Sequence, residues 1–429
     1  MNIIERGRQF VQSLRTLAQR SAYDWRRCPR CQSTWTERYG GYSRRPMTLA
    51  GRQSVYVPRH LCHSCGRSYS EQAPALVPRS WYGREVHRLA VDSWLHMRCS
   101  LRRTAEWLRS WIGHQERWQH WCWFMEEEPA RERCALGAST VQRWLDRAGV
   151  VAEASVPGQL EGIAATEQAG ADGLWARLRG GVQRVVLLLT DSVSGLLFPP
   201  VVVKEEESAA AWGQLMARAQ QAGLKLKQLS GLTSDGAQGL LAYLRQGMAW
   251  VHQQRCHWHL WRNLWGEIAR LARAAVEGLA GEAATTRAKQ VREELTALLH
   301  GVLDAPSEQQ AEEALAALRA HAQGPSLAQK LWEQFDLLLA YVLPCHQGLQ
   351  RVSPEWHWRD FRLRLSHGRN HGSEQRLERA ALVWAIYHNF TPAQWRCERK
   401  RHYRHPGQSS LEVAGASPGE ISYLDALNV

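Results

Sequence analysis

The sequence predicts a multidomain protein in which a small cysteine-paired sheet and a helical module come before an α/β domain, and an all-helical insertion interrupts that domain. Three observations support this organisation. A chain of 429 residues is too long for a single hydrophobic core. Two C-x2-C pairs lie close to the start of the chain. Three short β-rich runs, followed by alternating helix and strand patterns, occupy its middle.

The positive charge of the chain is concentrated in its first part. The formal net charge is +13, and residues 1–150 hold 25 arginines, no lysine and 13 acidic residues, so the remainder is close to neutral. Because a guanidinium matches the oxygens of a phosphate group, this one-sided basic field predicts a nucleic-acid partner. The alternative is Arg-rich codon usage on a solvated surface.

The sequence contains no feature of a membrane or secreted protein. No apolar run approaches the ~20 residues needed to cross a bilayer. The opening "MNIIERGRQFVQSLRTLAQR" has scattered charges and lacks the apolar region of a secretory signal. We therefore expect a cytoplasmic protein with no membrane partner.

The first segment, residues 1–78, contains two cysteine pairs separated by 30 residues. Each pair can sit on a tight turn that aims two thiolates at one ion, and two such turns complete a tetrahedral zinc site. Strand-like runs, "STWTERYGGYSRR" and "RQSVYVPRHL", lie between the pairs, as in a zinc ribbon. Four protein ligands leave no open position for a substrate, so the Zn2+ is expected to be structural. Four unrelated buried thiols are the alternative, which the repeated spacing disfavours. The predicted ligands are Cys28, Cys31, Cys62 and Cys65.

The second segment, residues 79–155, shows helical periodicity. "YGREVHRLAVDSWLHM" predicts one helix, "CSLRRTAEWLRSWIG" a second with Ser100 as its N-cap, and "LGASTVQRWLDRAG" a third with Ser139 as its cap. The last two resemble the two working helices of a helix-turn-helix. In that motif a short turn joins the helices, whereas here residues 110–135 separate them, and an inserted hairpin would explain this long interval. A helical module with solvated arginines is the alternative. The side chains expected to face outward and contact DNA are Arg102, Arg103, Thr140, Gln142 and Arg143.

The central segment changes to short β-rich runs separated by glycine turns. "LWARLRG", "VQRVVLLLTD" and "GLLFPPVVV" predict three consecutive antiparallel strands. The helix "SAAAWGQLMARAQQAGL", the strand "LKQLSGLTSDG" and the helix "AQGLLAYLRQG" follow. Strands first and then alternating helix and strand is the order of a ribonuclease-H-like α/β domain. Its candidate acids are Asp172 at a strand start, Asp191 at a strand end and Asp235 at another strand end. A lone acid is most often a turn residue, and Asp191 before "SVSG" is well explained as one.

Four stretches in one order, "ADGLWARLRGG", "KEEESAAAWGQLM", "LTSDGAQGLLAYL" and "RCHWHLWRNL", resemble the Mutator-like DDE transposases of bacterial insertion sequences. The later stretch "SHGRNHGSEQRLERAALVWAIYHNF" resembles the part of that family that carries its closing Glu. The resemblance covers about residues 165–395. Two departures are His371, where a second Asn is common, and Glu378, a rival acid one turn after the closing Glu. The matched positions are Asp172, Glu207, Trp212, Asp235, Cys256, His259, Arg262, Asn263, Arg369, Asn370 and Glu374.

The resemblance implies an enzyme that cleaves DNA and transfers strands at the ends of a mobile element. Asp172, Asp235 and Glu374 would be its catalytic acids, holding two Mg2+ ions, with Mn2+ as a possible substitute. Three adjacent carboxylates repel each other unless cations lie between them, and hard oxygen ligands suit Mg2+. The implied partners are double-stranded DNA, as element ends and as target, and a second copy of the chain, with the protein associated with the nucleoid. A non-catalytic DNA-binding regulator and a ribonuclease-H-type nuclease without strand transfer are the alternatives.

On this interpretation residues 160–264 and 355–395 form the catalytic domain, and the helical patterns of residues 265–354 form its insertion. Cys256 and His259, with Arg369 and Asn370, are expected to support the carboxylate site. For Cys256, His257 and His259, a zinc site and a plain core role remain alternatives. The tail, residues 396–429, begins with the basic "RCERKRHYRH", which suits either a DNA contact or a solvated helix, and then is expected to be flexible.

Overall fold

The computed structural model describes residues 24–97, 99–121, 136–163, 167–205, 208–343, 349–352, 371–392, 407–416, 418–419 and 421–429. The chain forms two compact units. One comprises Met1–Ile163, Ala176–Gln183 and Asp360–Val429, and the other comprises Ala164–Trp175 and Arg184–Arg359. Within the described residues, none of the helices has the length and apolar character needed to cross a membrane.

The first described part of the first unit is a three-stranded antiparallel sheet, of which the sequence predicts two strands. Strand β1 is Thr36–Arg44, and two short strands, β2 (Met47–Thr48) and β3 (Gly51–Arg52), pair with each other. Strand β4 (Val55–Cys62) lies between β1 and β5 (Ser68–Ser70). The register pairs the first residue of β1 with the last residue of β4, and a bulge interrupts it between Arg38 and Gly41. The sheet thereby places the second cysteine pair at the end of β4.

Three helices follow in the same unit: α1 (Arg84–His96), α2 (Leu101–Trp121) and α3 (Ala138–Ser155). They pack against one another. The Ser100 side chain accepts a hydrogen bond from the amide of Arg103 at 3.2 Å, which confirms its capping role. The predicted cap at Ser139 is wrong, because α3 already begins after Gly137. Helix α2 also continues to Trp121, into the interval where the sequence suggested a hairpin.

The C-terminal part of the first unit contains helix α11 (Glu374–Phe390), which packs along α3. The two helices approach closely at Gly149, where an added Cβ would lie 2.3 Å from the Cβ of Arg379. Two short helices, α12 (Ser410–Val413) and α13 (Tyr423–Ala426), pack on α11. The expectation of a flexible tail is therefore wrong for the described residues after 406. Each short helix has a capping box, and Leu411 and Leu427 are buried.

The second unit is built on a five-stranded sheet. Its strands are β6 (Gln168–Arg177), β7 (Gln183–Asp191), β8 (Val201–Val203), β9 (Gly231–Ser234) and β10 (His252–Arg255), and their order across the sheet is β10-β9-β6-β7-β8. Strands β7 and β8 are antiparallel, whereas β9 runs parallel to both β6 and β10. Helices α4 (Ala209–Ala222) and α5 (Gln238–Gly247) connect the later strands, as predicted. Strand β10 is absent from the sequence prediction.

Helices α6 to α10 follow β10 and form a second core. They are α6 (His257–Ala274), α7 (Gly281–Leu303), α8 (Glu308–Ala320), α9 (Pro325–Trp332) and α10 (Phe335–Leu338). The sequence predicts an all-helical insertion over residues 265–354, and the described residues of that range up to 343 contain these helices. Apolar side chains at helical spacing, such as Leu264, Ile268, Leu295 and Leu315, are buried in one cluster. Because α6 starts two residues after β10 ends, it connects this helical core directly to the edge of the sheet.

Candidate functional site

The four predicted zinc ligands lie together. The ligand sulfurs of Cys28, Cys31, Cys62 and Cys65 are all within 4.8 Å of one another. The Sγ atoms of Cys28 and Cys65 are 3.7 Å apart, and those of Cys31 and Cys62 are 3.5 Å apart. A tetrahedral Zn–S length of about 2.3 Å implies sulfur–sulfur distances of about 3.8 Å. The cluster is therefore compatible with a structural zinc ion.

The two cysteine turns have the same backbone geometry. In the first, the amide of Gln32 donates to the carbonyl of Cys28 at 2.9 Å, and Gln32 has a φ of 61°. In the second, the amide of Gly66 donates to the carbonyl of Cys62 at 2.8 Å, and Gly66 has a φ of 67°. The left-handed residue after each pair reverses the chain and aims both thiols of the pair inward. This repetition explains how C-x2-C spacing produces a four-ligand cluster.

The pKa values of two of the clustered thiols are shifted in opposite directions. The backbone hydrogen bond at Cys31 lowers the pKa of the Cys28 thiol to about 6. For Cys31, a backbone hydrogen bond at Ser33 lowers the pKa, but burial and the neighbouring thiols of Cys62 and Cys28 outweigh it and raise the pKa to about 12. Thiolates this close repel each other, and a divalent cation between them removes the repulsion.

Two of the three predicted acids directly follow a pair of residues that the sheet of the second unit holds in register. The register of the parallel strands pairs Ala171 of β6 with Ser234 of β9. Asp172 and Asp235 are the next residues along the chain after these two. Asp172 is 3% exposed, and it lies inside β6, which begins four residues earlier than the sequence analysis placed it. Asp235 is partly exposed immediately after β9.

Polar groups surround the Asp172 carboxylate. The amide of Gly173 donates to its Oδ1 at 2.8 Å, and Nε2 of the buried His259 lies 3.9 Å from its Oδ2. Because a buried carboxylate is costly unless it is hydrogen-bonded or near a cation, these groups hold it in place. Cys256 is fully buried, and its amide donates to the carbonyl of Ser234 at 2.7 Å. His259 thus lies beside Asp172, and the Cys256 backbone joins the start of α6 to the end of β9.

The imidazole of His257 is directed elsewhere. Its Nε2 lies 2.9 Å from the carbonyl oxygen of Leu338 and 3.1 Å from the side-chain nitrogen of Gln254. Burial lowers the pKa of His257 to about 4, so the ring is neutral. In the part of the chain that the structure describes, the four-cysteine cluster is the group in which three or more metal-ligating side chains converge. Cys256, His257 and His259 do not form a second such group there.

A partly buried guanidinium lies beside Asp235, and the sequence analysis did not identify it. Arg255 is the last residue of β10, in register with Ser234, and its buried Nε has no hydrogen-bond partner in the described part of the chain. Burial lowers the pKa of Arg255, and the charge of Asp235 opposes that shift. Gly236 has a φ of 82°, and a Cβ there would lie 1.6 Å from Nη1 of Arg255. The glycine after Asp235 therefore leaves the space that the guanidinium occupies.

The third predicted acid belongs to the first unit. Glu374 is the first residue of α11 and is partly exposed. The side chain of Ser373 caps this helix by accepting from the amide of Arg376. Glu378, the rival acid, is also partly exposed one turn later. Arg369 and Asn370 lie outside the described residues, as do Glu207 and the basic stretch of the tail.

The remaining acid, Asp191, has the local role that the sequence suggests. It ends β7, and its Oδ2 accepts a hydrogen bond from the amide of Ser194 at 2.6 Å. This geometry caps the turn that follows β7.

The predicted DNA-contacting residues divide into two groups. Arg102, Arg103 and Arg143 are exposed, as expected. The outward orientation of Thr140 and Gln142 is wrong, because they are 9% and 8% exposed. Helix α3 packs against α1 and α2 and also against α11. The face of α3 that holds these polar side chains is therefore covered by neighbouring helices. The Gln142 amide donates to Asp146 at 2.9 Å instead of facing outward.

Comparison with known proteins gives one match to a family. Residues 200–304 match the family described as Transposase, Mutator family. The matched region contains Asp235, Arg255, Cys256 and His259, and it extends through α6 and α7. The resemblance to Mutator-like transposases is thereby confirmed over these residues, and a domain of this family supports a transposase role. Transposases of this kind generally bind DNA. No curated protein matches the chain.

Proposed function

We propose that this protein is a transposase that cuts DNA at the ends of a mobile element and joins those ends to target DNA. The observation that carries the proposal is the parallel register that pairs Ala171, the residue before Asp172 within β6, with Ser234, the residue before Asp235 at the end of β9; Asp235 lies inside the region that matches the Mutator family. Strands β6, β7 and β8 follow one another in the chain and are neighbours in the sheet order β10-β9-β6-β7-β8. This arrangement supports a ribonuclease-H-like catalytic domain.

The two carboxylates fit Mg2+ or Mn2+. Mg2+ takes hard oxygen ligands and keeps several waters or phosphate oxygens, so one or two carboxylates are a sufficient protein contribution. When bound, a pair of such ions would neutralise charge on the scissile phosphate and acidify the attacking water. The third ligand, Glu374, remains a prediction from the sequence, as do the supporting roles of Arg369 and Asn370.

The residues around the acids have distinct roles in this proposal. Asp172 and Asp235 bind the metal ions, and His259 orients the Asp172 carboxylate. The Arg255 guanidinium, fixed beside Asp235, adds a positive charge that a phosphate oxygen of the DNA can satisfy. Cys256 anchors the start of α6 against β9.

The reaction consists of two exchanges at phosphorus. Water attacks the phosphodiester at the element end and forms a P–O bond, and the bond to the departing 3′ oxygen breaks, leaving a 3′-hydroxyl and a 5′-phosphate. The 3′-hydroxyl then attacks a phosphodiester of the target, and one P–O bond forms for each that breaks. No external energy source is required. Element-end recognition falls to the zinc ribbon and to α2 and α3 as a helix-turn-helix, and two copies of the chain process the two ends.

The test is an incubation of the full-length protein with its flanking terminal DNA and Mg2+. The expected products are nicked DNA with 3′-hydroxyl ends and, with added plasmid, joined strands. EDTA should abolish both products. Specific binding of the terminal DNA with no cleavage in Mg2+ or Mn2+ would contradict the proposal and leave a DNA-binding regulator. Cleavage without joined products would leave a nuclease.

A further inference from the structure

Helix α6 carries a row of aromatic and cationic side chains on the side away from the helical core. Leu260, Leu264 and Ile268 are buried in that core. Trp258, Arg262 and Trp265 recur at four- and three-residue intervals on the other side, which places them on one face. Trp258 is 38% exposed and Trp265 is 39% exposed. We call Trp258, Arg262 and Trp265 the Trp–Arg face.

Both tryptophans of this face have a guanidinium group beside the ring. The guanidinium carbon of Arg262 lies 4.7 Å from the ring centroid of Trp258, and that of Arg292 lies 5.8 Å from the ring of Trp265. Trp261 flanks the face, with its ring 4.9 Å from that of Trp265. Since α6 already buries a complete leucine-rich side, these exposed tryptophans are not required for the core.

The local charge is positive. The acid on this stretch of α6, Glu267, is bound by the ammonium group of Lys330 and by the Ser326 hydroxyl at 3.1 Å. These contacts lower the pKa of Glu267 against the opposing effect of burial. Arg262 and Arg292 are exposed and stand next to the tryptophan rings. Aromatic rings interleaved with guanidinium groups complement unpaired bases and the phosphates between them.

We propose that the Trp–Arg face binds single-stranded DNA, with unpaired bases stacked on Trp258 and Trp265 and the phosphates held by Arg262 and Arg292. A duplex does not fit this chemistry, because its bases are stacked on each other and expose only their edges. The ligand class is therefore unpaired nucleic acid, and sequence preference is expected to be weak.

The face begins beside the carboxylate site. The Trp258 ring lies 4.9 Å from the ring of His259, and His259 Nε2 is 3.9 Å from Asp172 Oδ2. A strand bound on this face therefore passes close to Asp172. The suggestion that this strand is the one being cut rests on the proposed function, whereas binding of single-stranded DNA does not.

The experiment measures the affinity of the full-length protein for fluorescent oligo(dT) and for a duplex of equal length by anisotropy, without divalent metal. Trp258→Ala and Trp265→Ala should each weaken oligo(dT) binding by about 5- to 150-fold, the change in affinity that corresponds to stacking one base. Trp258→Phe should restore most of the affinity. Duplex binding should be unchanged. The matched control is Trp332→Ala, which removes a tryptophan that is 51% exposed on α9, outside the face.

Unchanged oligo(dT) affinity in both alanine variants would overturn the proposal. So would an equal loss on duplex DNA, or the same loss in Trp332→Ala. A shift from dimer to monomer in analytical ultracentrifugation, with oligo(dT) affinity retained, would identify the face as a protein interface instead. Arg262→Ala provides a second variant on the exposed surface if a tryptophan variant fails to fold. Repeating the titration with Asp235→Asn separates this inference from the catalytic proposal, because binding should survive in that variant even though cleavage does not.

Discussion

Replacing Cys62 with serine should remove the zinc ion and unfold the three-stranded sheet. Within β1, β4 and β5, all of which the structure describes, the buried side chains are Val57, His60 and Cys62. Full burial of a valine contributes about 1.5–3 kcal/mol. Structural zinc in four-ligand sites contributes about 10–16 kcal/mol, and that binding energy is folding energy. The ion therefore outweighs the apolar core of this sheet several-fold.

The assay combines metal analysis with limited proteolysis. Wild-type protein should contain one zinc per chain, and Cys62→Ser should contain well under one and should be cleaved rapidly between residues 28 and 70. The fragment containing the five-stranded sheet should stay resistant. Cys99→Ser is the matched control, because Cys99 is a partly buried thiol outside the cluster. Wild-type protein without zinc, or a variant that keeps stoichiometric zinc, would refute the reasoning.

Three further changes test the fold and the DNA-binding surface. Gly236→Ala should destabilise the protein by about 1–2 kcal/mol in urea titrations, because alanine resists a φ of 82°. It should also slow cleavage, since its Cβ displaces Arg255 from Asp235; unchanged cleavage would argue against a role for the guanidinium. Leu295→Ala, at a fully buried position, should cost about 2–5 kcal/mol in the same titration. Arg143→Ala should weaken duplex binding and reduce its logarithmic salt slope by about 1, and an unchanged slope would remove Arg143 from the interface.

Local signals in the sequence were sufficient for several parts of the protein. The repeated C-x2-C spacing predicts the cysteine cluster because each pair and its turn are only five residues long. The periodicity of α4, α5 and the insertion helices predicts their existence, and the apolar run of β7 predicts a buried strand. The turn role of Asp191 follows from its neighbours alone, and its contact with Ser194 agrees.

Features that depend on distant parts of the chain were not predicted. Strand β10 has the sequence HQQR, with no apolar alternation, and it is a strand because it pairs with β9. Without β10, Arg255 could not be placed beside Asp235. Thr140 and Gln142 are polar, and the packing of α11 on α3 could not be read from their own segment. Their burial is a tertiary effect.

In the tail, by contrast, the sequence does contain a local signal that predicts short helices. Its composition suggests flexibility, yet Ser409 with Glu412 and Ser422 with Asp425 have the spacing of capping boxes. Arg88 of α1 then binds Asp425 at 2.8 Å. Short helices of this kind are held by burial of a few apolar residues, here Leu411 and Leu427.

The most direct test of the catalytic proposal is cleavage of terminal DNA by single-acid variants in Mg2+. Asp172→Asn and Asp235→Asn should each reduce the yield of 3′-hydroxyl ends at least ~1,000-fold, while DNA affinity changes little. A loss of ~1,000-fold corresponds to about 4 kcal/mol of lost transition-state stabilisation. Asp191→Asn should remain active. Full activity in either of the first two variants, or loss of activity in Asp191→Asn alone, would contradict the assignment of the paired acids as the metal site.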